Sequence, residues 1–184
     1  ELDAISDDKL KEKLSNSAKK VIERIQTKRA TKLSKRFTNI ENQRLVRLTY
    51  EWLDKEKKRS DFRVKGIEVE REIDLGGLSL TVRLDRVDML NDGRFIIIDY
   101  KTGESKITTM RGERPDEPQL PLYLLASQSD AASAVVFAQV KMGEMKFKAL
   151  ARDSDLLPSV KADSEWEHLI TSWRTDLTRI AESF

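Results

Sequence analysis

Two oppositely charged side chains follow a run of bulky apolar residues in the segment RFIIIDYKTG, residues 94–103. Asp99 and Lys101 are two positions apart, so on a strand both side chains leave the same face, whereas Tyr100 points to the other face. Charges at the end of a buried strand are costly unless another group pairs with them. The segment therefore predicts a carboxylate and an ammonium presented together at one strand end.

Two more carboxylates lie upstream in the segment LDRVD. Asp85 and Asp88 are three positions apart, so on a regular strand they lie on opposite faces and only one of them can join Asp99. A three-residue loop, Asn91–Gly93, places Asp85 opposite Asp99. A two-residue turn shifts the register by one and brings Asp88 to that face instead. The sequence is equally compatible with both registers.

Two carboxylates that converge beside a lysine suit metal-dependent hydrolysis of phosphodiesters. Hard carboxylate oxygens are ligands for Mg²⁺ or Mn²⁺, which keep several waters and bridge to phosphates. Lys101 is placed to orient the attacking water or to offset charge on phosphate oxygens. The backbone carbonyl of Tyr100, between the two side chains, is a candidate for a further oxygen ligand. An isolated D-x-K tripeptide is more often a structural ion pair, so neighbouring motifs must decide.

Helical periodicity flanks the segments that carry these residues. Apolar side chains at helical spacing predict one helix over residues 8–30, a second over residues 40–58 and a closing helix over residues 164–182. A short helix that begins at Pro118 places Gln119 and Tyr123 of the segment EPQLPLY on one face, at i and i+4. We expect the helices to flank whatever sheet the chain forms.

The apolar period changes to two from Phe62 onward, which predicts strands. Gly76-Gly77 separates the first two, the segment NDG at 91–93 precedes the third, and SAVVFAQVKMGEMKFKAL predicts a closing hairpin with its turn at Met142–Glu144. The expected fold class is α/β, with a central mixed, mostly antiparallel sheet flanked by helices.

Composition excludes several classes of protein. The 184 residues include 34 basic and 32 acidic side chains, so the net charge of +2 indicates no particular partner. Cysteine is absent, which excludes disulfides, thiolate nucleophiles and a Cys-ligated iron–sulfur cluster. No apolar run approaches the roughly 20 residues of a membrane span, and we expect no membrane partner and a location in the cytoplasm.

The segments DRVD, IIIDYKTG and EPQLPLY, taken together, resemble the nuclease domain of the RecB-like branch of the PD-(D/E)xK superfamily. The resemblance implies a restriction-endonuclease-like fold and a Mg²⁺-dependent or Mn²⁺-dependent deoxyribonuclease. By resemblance, Asp85 and Asp99 bind the metal and Lys101 serves the water or the phosphate, which selects the register with Asp85. The Q-x-x-x-Y motif matches Gln119 and Tyr123, which the resemblance implies position the lysine and the DNA.

The resemblance also implies a larger context. GERPDEPQLPLY and the motif spacing are similar to the C-terminal domain of large bacterial DNA repair proteins related to AddB, so the implied partners are DNA and a helicase-like domain or subunit. We expect one nuclease-like domain over residues 1–184, with a helical part at 1–60, a sheet core at 62–150 and a terminal helix at 163–184. Because the chain begins at Glu1 without Met, we expect it to be part of a longer protein.

The single histidine and two arginines of a loop are further candidates for functional residues. RecB-like nucleases usually have a metal-binding His on a helix ahead of the sheet, whereas the single histidine here, His168, lies in the last helix off its apolar stripe. We expect His168 to be exposed and the family histidine to lie upstream of Glu1, so residues 1–184 alone are expected to be weakly active or inactive. Arg111 and Arg114, in the loop before the Gln119 helix, are candidates for contacts to DNA phosphates.

Overall fold

The computed structural model describes residues 4–29, 32–127 and 131–184. Tertiary contacts divide the chain into two compact units, Glu1–Lys58 and Arg59–Phe184. The first unit is helical and the second contains the sheet with the remaining helices. All of the motif residues singled out above belong to the second unit.

The first unit is a pair of helices, α1 at Asp7–Arg29 and α2 at Lys35–Glu56. They contact each other through Ser15 and Asn42, where the Asn42 side-chain amide donates to the Ser15 carbonyl at 2.9 Å. The expectation that the second helix starts near Ile40 is wrong. Ser34 accepts a hydrogen bond from the Phe37 amide at 3.2 Å and caps the helix, which therefore begins earlier.

The second unit is built on a five-stranded sheet in the order β1-β2-β3-β4-β5. Strands β3 and β4 are parallel and the other neighbouring pairs are antiparallel. The predicted mixed, mostly antiparallel sheet is confirmed. The strands are β1 at Phe62–Leu75, β2 at Leu78–Leu90, β3 at Phe95–Lys101, β4 at Ala132–Gln139 and β5 at Lys146–Ala151.

Helices α3, Gln119–Ala126, and α4, Trp166–Glu182, pack with one face of this sheet. Their core includes Trp173, which is 1% exposed and whose indole N–H donates to the Met110 carbonyl at 2.6 Å. Met110 ends a short 3₁₀ helix that begins at Ile107. Helix α3 lies between the two parallel strands in sequence, as a crossover connection requires. It begins 18 residues after β3 ends at Lys101.

The β1–β2 turn needs glycine for two reasons. Gly76 and Gly77 have φ values of +54° and +83°, a region that other residues rarely adopt. In addition, a Cβ at Gly76 would lie 2.7 Å from the Thr178 carbonyl oxygen in α4. The glycine pair thus closes the hairpin and lets α4 approach it. None of the helices in the described part of the chain has the length and hydrophobicity needed to cross a membrane.

Candidate active site

The loop between β2 and β3 fixes the register of the motif residues. The Leu90 amide donates to the Arg94 carbonyl at 2.8 Å, which closes a three-residue loop, Asn91–Gly93. The ladder then pairs Met89 with Phe95 and continues to Arg86 opposite Ile98. The pairing ends there, and Asp85 and Asp99 are the next residues of the two strands, close enough for the Asp85 carboxylate to help raise the pKa of Asp99. Of the two registers left open by the sequence, the structure has this one.

Asp85 sits where the backbone pairing of β2 is interrupted on both sides. Its Oδ2 accepts the backbone N–H of Tyr100 at 2.7 Å, so a side chain replaces a carbonyl of β2 at that point. On the other side, Glu68 occupies the position opposite Asp85, between the paired residues Ile67 and Val69, and has a φ of +52°. The irregular backbone leaves Asp85 half-buried at an opening in the sheet.

Asp88, the other acidic residue of LDRVD, is buried and forms ion pairs. It is 0% exposed and lies opposite Ile96, and its Oδ2 is 2.8 Å from an Arg59 guanidinium nitrogen. Arg86 contacts the same carboxylate at 2.7 Å and also donates to the Tyr100 hydroxyl at 2.9 Å. The buried Asp88 carboxylate is thus paired with two guanidinium groups and points away from Asp99.

Lys101 lies between two carboxylates. Its Nζ is 3.0 Å from Asp99 Oδ2 and 3.1 Å from Glu117 Oε2. The Asp99 Oδ2 is buried, and the Lys101 ammonium is the cation paired with it. Glu117 is held in place by its own backbone, whose N–H donates to the Thr109 carbonyl at 3.2 Å. Sequence reasoning missed Glu117, although it lies two residues before the motif residue Gln119.

The site carries more negative than positive charge. Burial raises the pKa of Asp99, with Asp85 and Glu117 acting in the same direction and Lys101 opposing them. For Lys101, burial alone would lower the pKa, but the nearby carboxylates of Asp99 and Glu117 outweigh it and the pKa is raised. Asp99 and Glu117 thus share the Lys101 ammonium, and the Asp85 carboxylate is a third negative charge near Asp99. Such a site attracts a further cation, because like charges in a partly buried site repel one another.

The two residues of the Q-x-x-x-Y motif have different environments. Gln119 is exposed at the start of α3, and its side-chain amide donates to the Arg83 carbonyl at 2.6 Å. Because Arg83 is two residues before Asp85, this bond ties α3 to the strand that carries the candidate ligand. Tyr123 is 1% exposed in the core, and burial raises the pKa of its phenol. Gln119 thus contacts the strand that carries Asp85, whereas Tyr123 packs α3 into the core.

The two candidate DNA-binding arginines also differ. Arg111 pairs with Asp163 and with Glu165, the latter at 3.4 Å. These contacts connect the loop before α3 to the segment before α4. Arg114 is exposed in the same loop. Arg111 therefore anchors the loop, whereas Arg114 is accessible to a ligand.

His168 is exposed on α4, as expected, with its ring nitrogen 3.5 Å from the Ser172 hydroxyl. Within residues 4–29, 32–127 and 131–184, no group of three or more His, Cys, Asp and Glu side chains is arranged to hold a metal ion. Asp99 and Glu117 instead contact Lys101, and Asp85 accepts the Tyr100 amide. The candidate ligands are thus engaged by groups of the protein itself.

The sequence model of the PD-(D/E)XK nuclease superfamily matches residues 2–183. The chain belongs to this superfamily. The five-stranded mixed sheet with its flanking helices is consistent with the superfamily's α/β fold. Members are generally nucleases that usually use divalent metals, so membership indicates nuclease activity and a DNA substrate.

Other comparisons add little to this assignment. No curated protein matches the chain. One similar solved structure is the crystal structure of SSO0001, which is 15% identical, with a TM-score of 0.32. The similarity covers 78% of this chain and 67% of that one. The superfamily assignment therefore rests on the match over residues 2–183.

Proposed function

We propose that the protein is a metal-dependent DNA nuclease that hydrolyses phosphodiester bonds in DNA repair or recombination. One observation carries the proposal. Asp85 and Asp99 follow directly on the end of the β2–β3 pairing, the Asp85 side chain accepts the Tyr100 amide, and Lys101 is ion-paired to Asp99. This juxtaposition supplies hard oxygen ligands and a cation at one point of the sheet.

The residues fit a divalent cation such as Mg²⁺ or Mn²⁺. The Asp99 carboxylate is largely buried and has the Lys101 ammonium as its ion-pair partner, and Asp85 lies close to it. Burial and the neighbouring carboxylates raise the pKa of Asp99, and a bound cation would offset this repulsion. We propose Asp85, Asp99 and the backbone carbonyl of Tyr100 as the ligands. The N–H and C=O of a strand residue point to the same side, and the Tyr100 N–H points at Asp85.

Side chains of the protein would hold the attacking water and stabilise charge on the phosphate. A divalent cation bound there would supply Lewis-acid stabilisation of the phosphate and a more acidic water. Lys101 is placed to hold the attacking water or to stabilise charge on a phosphate oxygen. Once Asp99 turns to a cation, Glu117 keeps the Lys101 ammonium in place from the other side. Glu117 is therefore a positioning residue for Lys101.

Helix α3 and the loop before it hold the candidate active site in place. Gln119 holds the helix on β2 through the Arg83 carbonyl, and Tyr123 fills the core beneath it. We propose that Arg114 contacts DNA phosphate directly. Arg111 contributes by fixing the loop, because its guanidinium is already paired with acidic side chains.

The wider assignment follows from the motifs. We propose that the chain is one nuclease domain of a larger bacterial repair protein related to AddB, placed at its C-terminal end. It would act in the cytoplasm beside a helicase-like domain or subunit. The superfamily match supports the single domain, because it runs across the helical unit and the sheet unit alike. The absence of cysteine means that no Cys-ligated iron–sulfur cluster is part of the proposal.

Cleavage of linear single-stranded and duplex DNA tests the proposal. We expect cleavage with Mg²⁺ or Mn²⁺ and none with EDTA. Because Mn²⁺ tolerates irregular coordination better than Mg²⁺, it should support faster cleavage at equal concentration. Asp99→Ala and Lys101→Ala should abolish cleavage and retain DNA binding. Equal cleavage by the unmodified protein and both variants would exclude the proposed site.

A second candidate function is a non-catalytic DNA-binding module that keeps the nuclease fold. One observation favours it, since the candidate ligands are engaged by Lys101 and Tyr100 and no described group of three ligands is arranged for a metal. This candidate predicts DNA binding that neither Mg²⁺ nor Mn²⁺ changes, without cleavage. Calorimetric titration of the metal-free protein with Mn²⁺ separates the two functions, because heat that Asp99→Asn removes identifies a metal site.

A further inference from the structure

A cleft of about 640 Å³ lies on the β5 side of the sheet. It is lined by three segments, residues 105–108 after the catalytic strand, residues 147–150 of β5, and residues 159–163 before α4. The first segment starts four positions after Lys101. The cleft is thus built partly from the loop that leaves the candidate active site.

Three lysines line this cleft, and they come from all three segments. They are Lys106, Lys148 and Lys161. In the described part of the chain no carboxylate lies within ion-pair distance of any of them, whereas the acidic lining residue Asp163 is neutralised by Arg111. We name this feature the lysine cleft. Its unbalanced positive charge favours an anionic ligand.

The floor of the lysine cleft has a hydrogen-bonding group to spare. Ser105 is 2% exposed, and its hydroxyl has no hydrogen-bond partner in the described residues. The Ser105 carbonyl, in contrast, accepts a bond from Lys148 Nζ at 2.6 Å, which holds the loop against β5. A buried hydroxyl without a partner costs free energy that a bound oxygen acceptor would recover. The cleft therefore offers both charge and a neutral donor.

The sheet register relates the lysine cleft to the candidate metal ligands. Asp99 pairs with Phe137 of β4, and Phe137 pairs with Lys148 of β5. Since neighbouring strands are about 4.8 Å apart, the backbone of Lys148 is roughly 10 Å from that of Asp99 along this row. Directly opposed residues share a face, so both side chains leave the same side of the sheet. A chain of phosphates spans this distance in a few nucleotides.

We propose that the lysine cleft binds the phosphates of the DNA strand on one side of the bond that is cut. Lys106, Lys148 and Lys161 contact phosphate oxygens, and the Ser105 hydroxyl donates a further hydrogen bond. The contacts are to the backbone and are independent of base sequence. This inference rests on the proposed nuclease function and adds the path of the strand.

The test is binding of a labelled single-stranded oligonucleotide to the whole protein in EDTA, measured by anisotropy over a range of salt concentrations. Each phosphate contact contributes about 0.7 to the slope of log K against log salt for single strands. The triple variant Lys106→Ala, Lys148→Ala, Lys161→Ala should therefore lose about 2 from this slope and bind more weakly at every salt concentration. Lys65→Ala, an exposed lysine on β1, is the control for loss of one charge and should match the unmodified protein.

Two further variants keep the result interpretable. Lys148→Ala also removes the bond to the Ser105 carbonyl, so Lys106→Ala with Lys161→Ala, neither of which breaks a described hydrogen bond, should lower the slope by about 1.4 on its own. Lys148→Arg should retain binding because it keeps the charge. Binding of the double and triple variants with the unmodified slope would overturn the cleft while leaving the nuclease proposal intact. Failure of the unmodified protein to bind DNA at all would overturn both.

Discussion

The ammonium of Lys101 lies 3.1 Å from the carboxylate of Glu117, a residue that belongs to neither the D-Y-K nor the Q-x-x-x-Y motif. The pair joins the end of β3 to the loop before α3. Lys101 is also 3.0 Å from Asp99, so Glu117 is the partner that would remain if Asp99 bound a metal as proposed. The geometry gives Glu117 a consequence for catalysis that can be measured.

We expect Glu117→Gln to slow DNA cleavage by up to about 10²-fold, because displacement of a catalytic group by an ångström costs about that much. DNA binding in EDTA should not weaken, since the substitution removes a negative charge. Single-turnover cleavage checks the rate. Glu113→Gln is the matched control, an exposed glutamate of the same loop, and should cleave at the unmodified rate. A Glu117→Gln variant as fast as that control would show that Asp99 alone positions Lys101.

We expect Asp99→Asn to abolish cleavage and to raise the melting temperature of the metal-free protein. Burial raises the pKa of Asp99, so the folded state disfavours the charged carboxylate. That penalty is absent below the usual carboxyl pKa and grows as the pH rises through the raised pKa, so the gain should be present at neutral pH. Each kcal/mol corresponds to about 2–4 °C in a domain of this size.

Thermal unfolding in EDTA and in excess Mn²⁺ checks the Asp99→Asn variant. Mn²⁺ should raise the melting temperature of the unmodified protein, because a ligand that binds only the folded state stabilises it. The same ion should leave Asp99→Asn unchanged. A variant less stable than the unmodified protein in EDTA would show that the ion pair with Lys101 outweighs the burial of the charge.

We expect substitution of one acidic residue of LDRVD to lower stability and substitution of the other to abolish cleavage. Removing Asp88 breaks the buried ion pairs that its carboxylate makes with Arg59 and Arg86, so Asp88→Ala should cost about 3–5 kcal/mol of unfolding free energy. Asp85→Asn keeps an oxygen that can accept the Tyr100 amide and should abolish cleavage with little loss of stability.

Urea denaturation and cleavage assays on both variants check this contrast. Asp54→Asn, which breaks an exposed ion pair with Lys58, is the stability control and should cost no more than about 1 kcal/mol. Loss of cleavage in Asp88→Ala without loss of stability would mean that Asp88, and not Asp85, is the ligand.

We expect Gln119→Glu to be more damaging than Gln119→Ala. The Gln119 amide donates to the Arg83 carbonyl, so alanine loses one hydrogen bond, worth about 1 kcal/mol. Glutamate places an acceptor against that acceptor and adds a fourth carboxylate near the site. Cleavage rates should follow the order Gln, Ala, Glu at this position. Equal rates for the two variants would argue that the amide does not fix α3 on β2.

Much of the fold follows from local sequence, and the exceptions have physical causes. The glycine pair at 76–77 and the period-two pattern predicted β1 and β2, yet Val64 and Ile67 of β1 are 47% and 70% exposed. Periodicity predicts a strand but not whether an element covers both of its faces. The start of α2 was missed because its cap, Ser34, lies in a polar segment that is also typical of a loop.

The candidate site likewise contains residues that the sequence predicted and residues that it missed. The motif residues were recognisable because their spacing is specific, whereas Glu117 was missed because acidic residues before a helix are common for other reasons. Arg59 was missed because its partner Asp88 is distant in the chain, and side-chain pairing between distant residues leaves no local pattern. The register was undetermined because Asn-Asp-Gly suits loops of two or three residues equally.

The loop Asn91–Gly93 is a surface turn that contacts none of the candidate catalytic groups, yet its length decides which carboxylate faces Asp99. Substitutions there that preserve the backbone conformation should be tolerated. Deletion of a single residue is different, because every side chain of β2 would exchange faces relative to β3. Asp88, and not Asp85, would then come to the face of Asp99. The hairpin is thus free to vary in composition but not in length, and insertions and deletions at this turn should be inactivating even though they lie far from the chemistry.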